Sequence, residues 1–321
     1  MAVYTDIDDD ELDGLLLAYD IGRAVACKGI AEGVENSNFL LQTDQGPFIL
    51  TIYEKRVNSD DLPWFLGLMA HLNANGLPCP QPIVRRDGGL LSRASGKPAA
   101  IVSFLNGRWP KKPKPVHTQK VGDALARLHL AGADLAAERA NGLSVSAWRD
   151  LLSQCGERSD EVHDGLYDAL TTEVGFLEAH WPDALPRGVI HADMFPDNVF
   201  FIDEELSGVI DFYFACTDVL VYDLAICLNA WCFEPDGAFN ITKARQMLGA
   251  YRERRALTRD EFDALPVLAR GAAMRFLLTR LYDWLNHPEG ALVTPKDPME
   301  YWHKLAFHQK VASATAYGLD F

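Results

Sequence analysis

The sequence predicts an α+β fold of two lobes, an antiparallel-sheet lobe at the N-terminus followed by a larger, mainly helical lobe. Three observations carry this. The 321 residues exceed what one core usually packs, since domains run to roughly 100–200 residues. Strand-like alternation falls in the first hundred positions, whereas apolar residues at helical spacing dominate the remainder. Between the two regimes lies Trp109-Pro110-Lys111-Lys112-Pro113-Lys114-Pro115, the sharpest break in composition.

Taken in order, Leu12, Leu15, Leu16 and Tyr19 stand at helical spacing behind an Asp-rich start, where carboxylates suit the positive helix end, so a helix is expected over 8–19. Phe39-Leu40-Leu41 leads into Thr43-Asp44-Gln45-Gly46, and Phe48, Leu50 and Ile52 then alternate with Ile49, Thr51 and Tyr53, which predicts two strands and a tight turn. Ser59, Asp60 and Asp61, with Pro63 just behind them, start a helix that Gly76 stops. The prolines of Leu77-Pro78-Cys79-Pro80-Gln81-Pro82 forbid its continuation. Ala99 to Phe104 is a short apolar strand.

The domains are therefore expected at 1–102 and 116–321, with a linker at 103–115. In the second lobe helices are expected near 121–132, 148–152, 165–180, 240–256 and 260–286. Strand-like residues interrupt them at 189–190, 198–202 and 207–212.

Thirty Lys and Arg against forty-five Asp and Glu give a formal charge of -15, which repels polyanions, so neither nucleic acid nor an anionic membrane is an expected partner. Six cysteines without a Cys-x-x-Cys pair read as reduced thiols. A basic, apolar leader is absent and no run approaches the ~18 apolar residues of a membrane span. A cytoplasmic protein with a small-molecule substrate and no obligate protein partner is expected.

The chemistry concentrates between His191 and Asp211. Asn198-Val199-Phe200-Phe201-Ile202 and Ser207-Gly208-Val209-Ile210-Asp211 flank the turn Asp203-Glu204-Glu205-Leu206, as in an antiparallel hairpin. If Ile202 pairs with Ser207, Asn198 faces Asp211. Opposed residues have Cβ atoms ~4.5–5.5 Å apart, so an amide oxygen and a carboxylate would converge on one magnesium ion. Asp193 enters the same edge, where a carboxylate can take the proton of a substrate hydroxyl as a phosphoryl group transfers. His191 is expected to brace that loop by hydrogen bonds.

His191-Ala192-Asp193-Met194-Phe195-Pro196-Asp197-Asn198, followed by Asp211-Phe212-Tyr213, resembles the catalytic and metal-binding loops of the protein-kinase-like superfamily. Leu125, Leu128 and His129 before the loop, and Tyr222-Asp223-Leu224-Ala225 after it, resemble the aminoglycoside phosphotransferase and choline kinase branch. The resemblance implies a bilobal kinase-like fold, ATP and Mg as cofactors, Asp193 as catalytic base, Asn198 and Asp211 as metal ligands, and Asp223 as a buried brace. On the nucleotide side Gly29 and Gly33, with Asn38, are placed to cover phosphates through backbone donors. Ser103 and Leu105 are expected beside adenine. The family usually carries a Lys or Arg where this sequence has Thr51, and Lys55, two strand repeats further on, is the candidate replacement.

Asp211 to Asp218, Asn229-Ala230-Trp231, Arg275 to Trp284 and Lys296 to Tyr301 resemble the homoserine kinases of this branch. That implies ATP-dependent phosphorylation of the side-chain hydroxyl of L-homoserine, a step toward threonine, with Arg275, Trp231 and Asp218 as acceptor contacts and Arg275 clamping the carboxylate. Three other readings stay open: a kinase of choline, methylthioribose or an aminoglycoside; a catalytically dead nucleotide sensor, favoured by Thr51; and a hydrolase whose metal is held by His191, Asp193 and Asp211.

Overall fold

In the computed structural model, which describes residues 4–30, 36–54, 58–287 and 294–320, the chain divides into two units. The first runs to Gly107 and includes Ser207–Tyr213; the second comprises Arg108–Leu206 and Phe214 onward.

The first unit is built on a five-stranded antiparallel sheet. Its strands are β1 (Ala24–Gly29), β2 (Ser37–Thr43), β3 (Gly46–Ile52), β4 (Ser92–Ala94) and β5 (Lys97–Ser103), in spatial order β1-β2-β3-β5-β4. Strict alternation along β2 buries Ser37, Phe39, Leu41 and Thr43, and register with β3 sets Phe39 against Leu50 and Asn38 against Thr51. The helix α1 (Asp9–Leu16) is capped by the Asp8 carboxylate, which accepts from the Glu11 amide. Its Leu12, Leu15 and Leu16 join Phe39, Leu41, Leu50, Ile52 and Ile101 in one core. Leu50, Thr51 and Ile52 are buried in succession, so β3 is covered on both faces where it ends. The helix α2 (Leu62–Ala74) follows a short 3-10 turn at Ser59–Asp61, and Gly76, at φ 82°, closes it.

The second unit is mainly helical: α3 (Pro115–Ala131), α4 (Val145–Cys155), α5 (Leu166–His180), α6 (Leu220–Trp231), α7 (Ile241–Arg254), α8 (Arg259–Leu285) and α9 (Met299–His308). Helix α3 crosses α7 so closely that a Cβ on Gly122 would stand 2.1 Å from the Met247 carbonyl oxygen, and Thr118 Oγ1 donates to the Lys243 carbonyl at 2.9 Å. A capping box joins Thr258 and Glu261 at the start of α8. Strands β6 (Arg187–Ile190) and β9 (Cys216–Val219) pair antiparallel. Strands β7 (Val199–Ile202) and β8 (Glu205–Val209) form a further two-stranded sheet.

The α+β class and most helix placements follow the sequence reading, but α6 and α9 were not anticipated and several strands differ. The turn between β7 and β8 is only Asp203-Glu204, with Asp203 at φ 56°, because that aspartate takes a left-handed conformation which short polar side chains tolerate. Glu205 and Leu206 therefore belong to the strand. Neither Asn198, in a 3-10 turn, nor Asp211, beyond the end of β8, lies in a ladder, so the inferred facing of Asn198 and Asp211 across one is not the arrangement that positions them. Strand β3 ends at Ile52, with Tyr53 and Glu54 outside it, and Lys55, to which the alternation was extended, lies outside the described residues.

Candidate active site

Strand β6 ends in Val189 and Ile190, both buried, and delivers the segment His191–Phe195 into the helical unit. Met194 is fully buried and anchors the segment, whereas Asp193 on one side of it remains partly exposed. The two orientations follow from a backbone reversal at Ala192, whose φ is 61°. An alanine in that region costs about 1–2 kcal/mol, so surrounding contacts must hold it.

Those contacts are side chains of the flanking helices. Asp223 of α6 accepts the His191 amide at 2.7 Å and the Ala192 amide at 2.9 Å. Arg275 of α8 donates Nη1 to the Ala192 carbonyl at 2.6 Å. Trp231 of α6 donates Nε1 to the Met194 carbonyl at 2.7 Å. Asn198 donates Nδ2 both to the Asp193 carbonyl at 2.9 Å and to its carboxylate Oδ2 at 3.0 Å. His191 is fully buried, and its Nδ1 accepts the Asp193 amide at 3.3 Å.

The brace continues inward. His129 of α3 bridges Asp223 Oδ2 at 3.3 Å and the Tyr251 hydroxyl at 2.8 Å. Arg255 in turn donates to Tyr251 at 3.2 Å and pairs with Glu261 at 2.8 Å. Burial alone would raise the Asp223 carboxyl, but the hydrogen bond and charge of His129, with the charge and amide of His191, bring it below its ordinary value. A buried charge so fully hydrogen-bonded suits a fixed structural anchor.

Asp223 thus occupies the bracing position anticipated for it. The structure places the expected acceptor contacts Arg275, Trp231 and Asp218 in buried positions, each hydrogen-bonded within the fold. Asp218 accepts from Asn141 at 2.7 Å, from the Val219 amide at 2.8 Å and pairs with Arg187 at 3.1 Å. Burial of this kind is what apolar helix faces impose on neighbouring polar groups, and residue type alone does not separate it from a ligand contact. The bracing partners Tyr251 and Arg255 went unnoticed in the sequence, where no spacing signal marks them.

Asn198 and Asp211 are each of the oxygen-donor type that magnesium takes. Asn198 commits Nδ2 to Asp193, which leaves its Oδ1 as a hard oxygen, and Asp211 supplies a carboxylate from its own position at φ 65°. Among the described residues no group of three or more His, Cys, Asp or Glu is arranged to hold a metal, so the His191-centred hydrolase site is not formed there.

In the first unit Gly29 ends β1 opposite Phe39, and Asn38 Oδ1 accepts from Thr51 Oγ1 at 2.8 Å. The Tyr213 hydroxyl donates to Tyr53 at 3.1 Å; burial pushes the Tyr53 phenol up to about 12. Thr51, where the resembling kinases carry a cation, therefore sits among neutral hydroxyls. The Ser103 hydroxyl accepts the Gln81 amide at 2.9 Å, and Leu105 packs against Gly208, where an added Cβ would meet it at 2.7 Å. Gly33 and Lys55 lie outside the described residues.

All six cysteines are free, and burial raises their thiols, Cys79 and Cys216 to about 12, which leaves no nucleophilic thiolate at neutral pH. No helix among the described residues is long and apolar enough to cross a membrane.

Residues 26–257 match the model of the phosphotransferase enzyme family. A homoserine kinase of Rhodospirillum rubrum is 65% identical, over 100% of both chains, and one of Xanthobacter autotrophicus is 61% identical over 99% of each. Among solved structures, an amicoumacin kinase in complex with AMP-PNP and calcium superposes with a TM-score of 0.68 at 15% identity, covering 93% of this chain and 92% of that one. A spectinomycin phosphotransferase in complex with ADP and its antibiotic gives 0.68 at 11% identity, covering 98% of each. These last two speak for the fold, and the full-length matches for the lineage: the chain belongs to the phosphotransferase enzyme family.

Proposed function

We propose that this chain transfers the γ-phosphoryl group of ATP to the side-chain hydroxyl of L-homoserine. The observation that carries the chemistry is Asp193, partly exposed on a loop whose backbone is otherwise held by buried side chains, with its carboxylate oriented by Asn198 at 3.0 Å. The acceptor is carried by the relatives named homoserine kinase, 60% to 65% identical over essentially the whole chain.

In the proposed reaction the homoserine hydroxyl oxygen bonds to the γ-phosphorus as the bond from that phosphorus to the β,γ-bridging oxygen breaks. The hydroxyl proton passes to the Asp193 carboxylate, and ADP leaves with the bridging oxygen. Asn198 Nδ2 holds Oδ2 of Asp193 in place, so the base enters the reaction with one oxygen already fixed. Magnesium, when bound, would offset the charge of the phosphates, and Asn198 and Asp211 are the side chains suited to hold it. Gly29, Asn38, Ser103 and Leu105 are retained as nucleotide contacts through backbone groups. The place of action proposed is the cytoplasm.

The sensor reading predicts ATP binding with no acceptor-dependent turnover. It is disfavoured by the presence of Asp193, Asn198 and Asp211 together. ADP release measured with L-homoserine, choline, methylthioribose and an aminoglycoside separates the readings. Homoserine is expected to give the highest kcat/KM; turnover with another alcohol alone, or with none, would sink the assignment.

A further inference from the structure

Arg275 has a burial and a partner that fit neither a solvated cation nor a ligand contact. It sits in the middle of α8 with 2% of its surface exposed. Its guanidinium carbon lies 4.6 Å from the Phe276 ring centroid and 5.7 Å from that of Phe214, so the charge is desolvated between two aromatic faces. A buried cation that meets few partners depends heavily on each of them. Arg275 Nη1 donates at 2.6 Å to the carbonyl of Ala192, the residue immediately before Asp193 and the one whose φ is 61°, while its buried Nε has no hydrogen-bond partner among the described residues.

The same residue is held from its other end. Its amide goes to Asp223 at 2.9 Å, so α6 supplies an anion to the N–H and α8 a cation to the C=O of one left-handed residue. The carbonyl of residue 192 belongs to the peptide plane whose nitrogen is that of Asp193. Fixing that oxygen sets the plane, and with it the position of the Asp193 N and Cα from which the side chain leaves the backbone. Phe276, beside Arg275, packs edge-on to Phe195 with centroids 4.9 Å apart, which ties α8 to the far side of the same loop.

We infer that Arg275 is a positioning residue for the catalytic base: it sets the Ala192–Asp193 peptide plane and has no part in gripping the acceptor carboxylate. This rests on the proposed role of Asp193 and reassigns the residue that the resemblance to homoserine kinases would give to the substrate. A clamp and a positioning group differ in what they change. Loss of a clamp raises the KM for homoserine at near-constant kcat, whereas loss of a positioning group lowers kcat with KM nearly unmoved.

The test uses the full chain with Arg275→Lys and Arg275→Ala, each first checked for cooperative thermal unfolding. For Arg275→Ala, kcat is expected to fall about a hundredfold, the scale of a misplacement of roughly 1 Å, with KM for homoserine and ATP within about threefold of wild type. Arg275→Lys keeps a donor without the planar fork and is expected to recover part of kcat. A homoserine KM raised tenfold or more at unchanged kcat, or unchanged values for both, would overturn the inference.

Hydrogen–deuterium exchange of peptides covering 191–195 supplies a substrate-free readout. Faster exchange is expected in either variant, confined to this loop when compared with α3 and α7, and wild-type exchange there would overturn the inference should Arg275→Ala prove too unstable for kinetics. A wild-type protein that ignores homoserine defeats the acceptor assignment, while the exchange result still decides the role of Arg275.

Discussion

Ala192 keeps a left-handed backbone at φ 61° while its amide donates to the buried Asp223 carboxylate at 2.9 Å. The pairing explains how a non-glycine residue can be strained at this point. The carboxylate rewards one conformation of two consecutive amides, and His129 keeps that carboxylate charged by its hydrogen bond at 3.3 Å.

Removing the anchor should therefore cost more than one contact. Asp223→Ala leaves two buried amides and the His129 ring without their acceptor, at about 1–3 kcal/mol for each group left unmade. We expect a loss of at least ~3 kcal/mol in urea unfolding and a large fall in kcat. A variant of wild-type stability would show that water or a neighbouring group replaces the carboxylate at no cost.

The α3–α7 crossing gives a prediction on packing alone. Gly122→Ala drives a Cβ to within 2.1 Å of the Met247 carbonyl oxygen, which is backbone and can yield only if a helix moves. Destabilisation of about 1–3 kcal/mol is expected, with kinetic constants per folded molecule unchanged. Thermal unfolding of the purified variant decides it; an unshifted Tm would mean that the helices separate freely.

Acid stability should report His308. Its ring is buried between the Tyr317 hydroxyl, at 2.7 Å, and Asn229 Oδ1, at 3.1 Å. Burial, with the Lys304 charge, holds it down at about 3 from an ordinary 6.5. Between those two values the unfolded chain binds a proton that the folded ring refuses, so stability falls as the pH drops through that window. His117, also lowered by burial, adds the same sign. In urea titrations from pH 7 to pH 4.5, His308→Gln is expected to flatten the slope; an unchanged slope would place the proton uptake elsewhere.

How much of this was legible depends on the kind of signal each residue leaves. Strand β2 alternates strictly and its turn to β3 has a four-residue signature, and α8 begins with the capping box Thr258 to Glu261, so both were readable. Helix α6 was not, because every residue but Ala230 is buried and a helix apolar on all sides has no polar face to mark its period. Strand β1, Ala24–Gly29, carries few strong strand formers and alternates only weakly in burial. At the site, Asp193 and Asn198 were recognisable from spacing. The occupation of Arg275, Trp231 and Asp218 by the fold itself was not, since it depends on which loop carbonyls and amides reach them through space. Thr51 was noticed as a departure, but its hydrogen bond to Asn38 emerges only from the β2–β3 register.

The most direct measurement of the central claim is phosphorus NMR of ATP with L-homoserine and magnesium, using the wild-type chain and Asp193→Ala, with ATP binding to each followed by calorimetry. Wild type is expected to produce ADP and a new phosphomonoester in equal amounts. Asp193→Ala should bind ATP comparably and turn over slower by about 10²–10⁴-fold, the usual contribution of a positioned acid–base group. Phosphomonoester formed by Asp193→Ala at the wild-type rate would contradict the account.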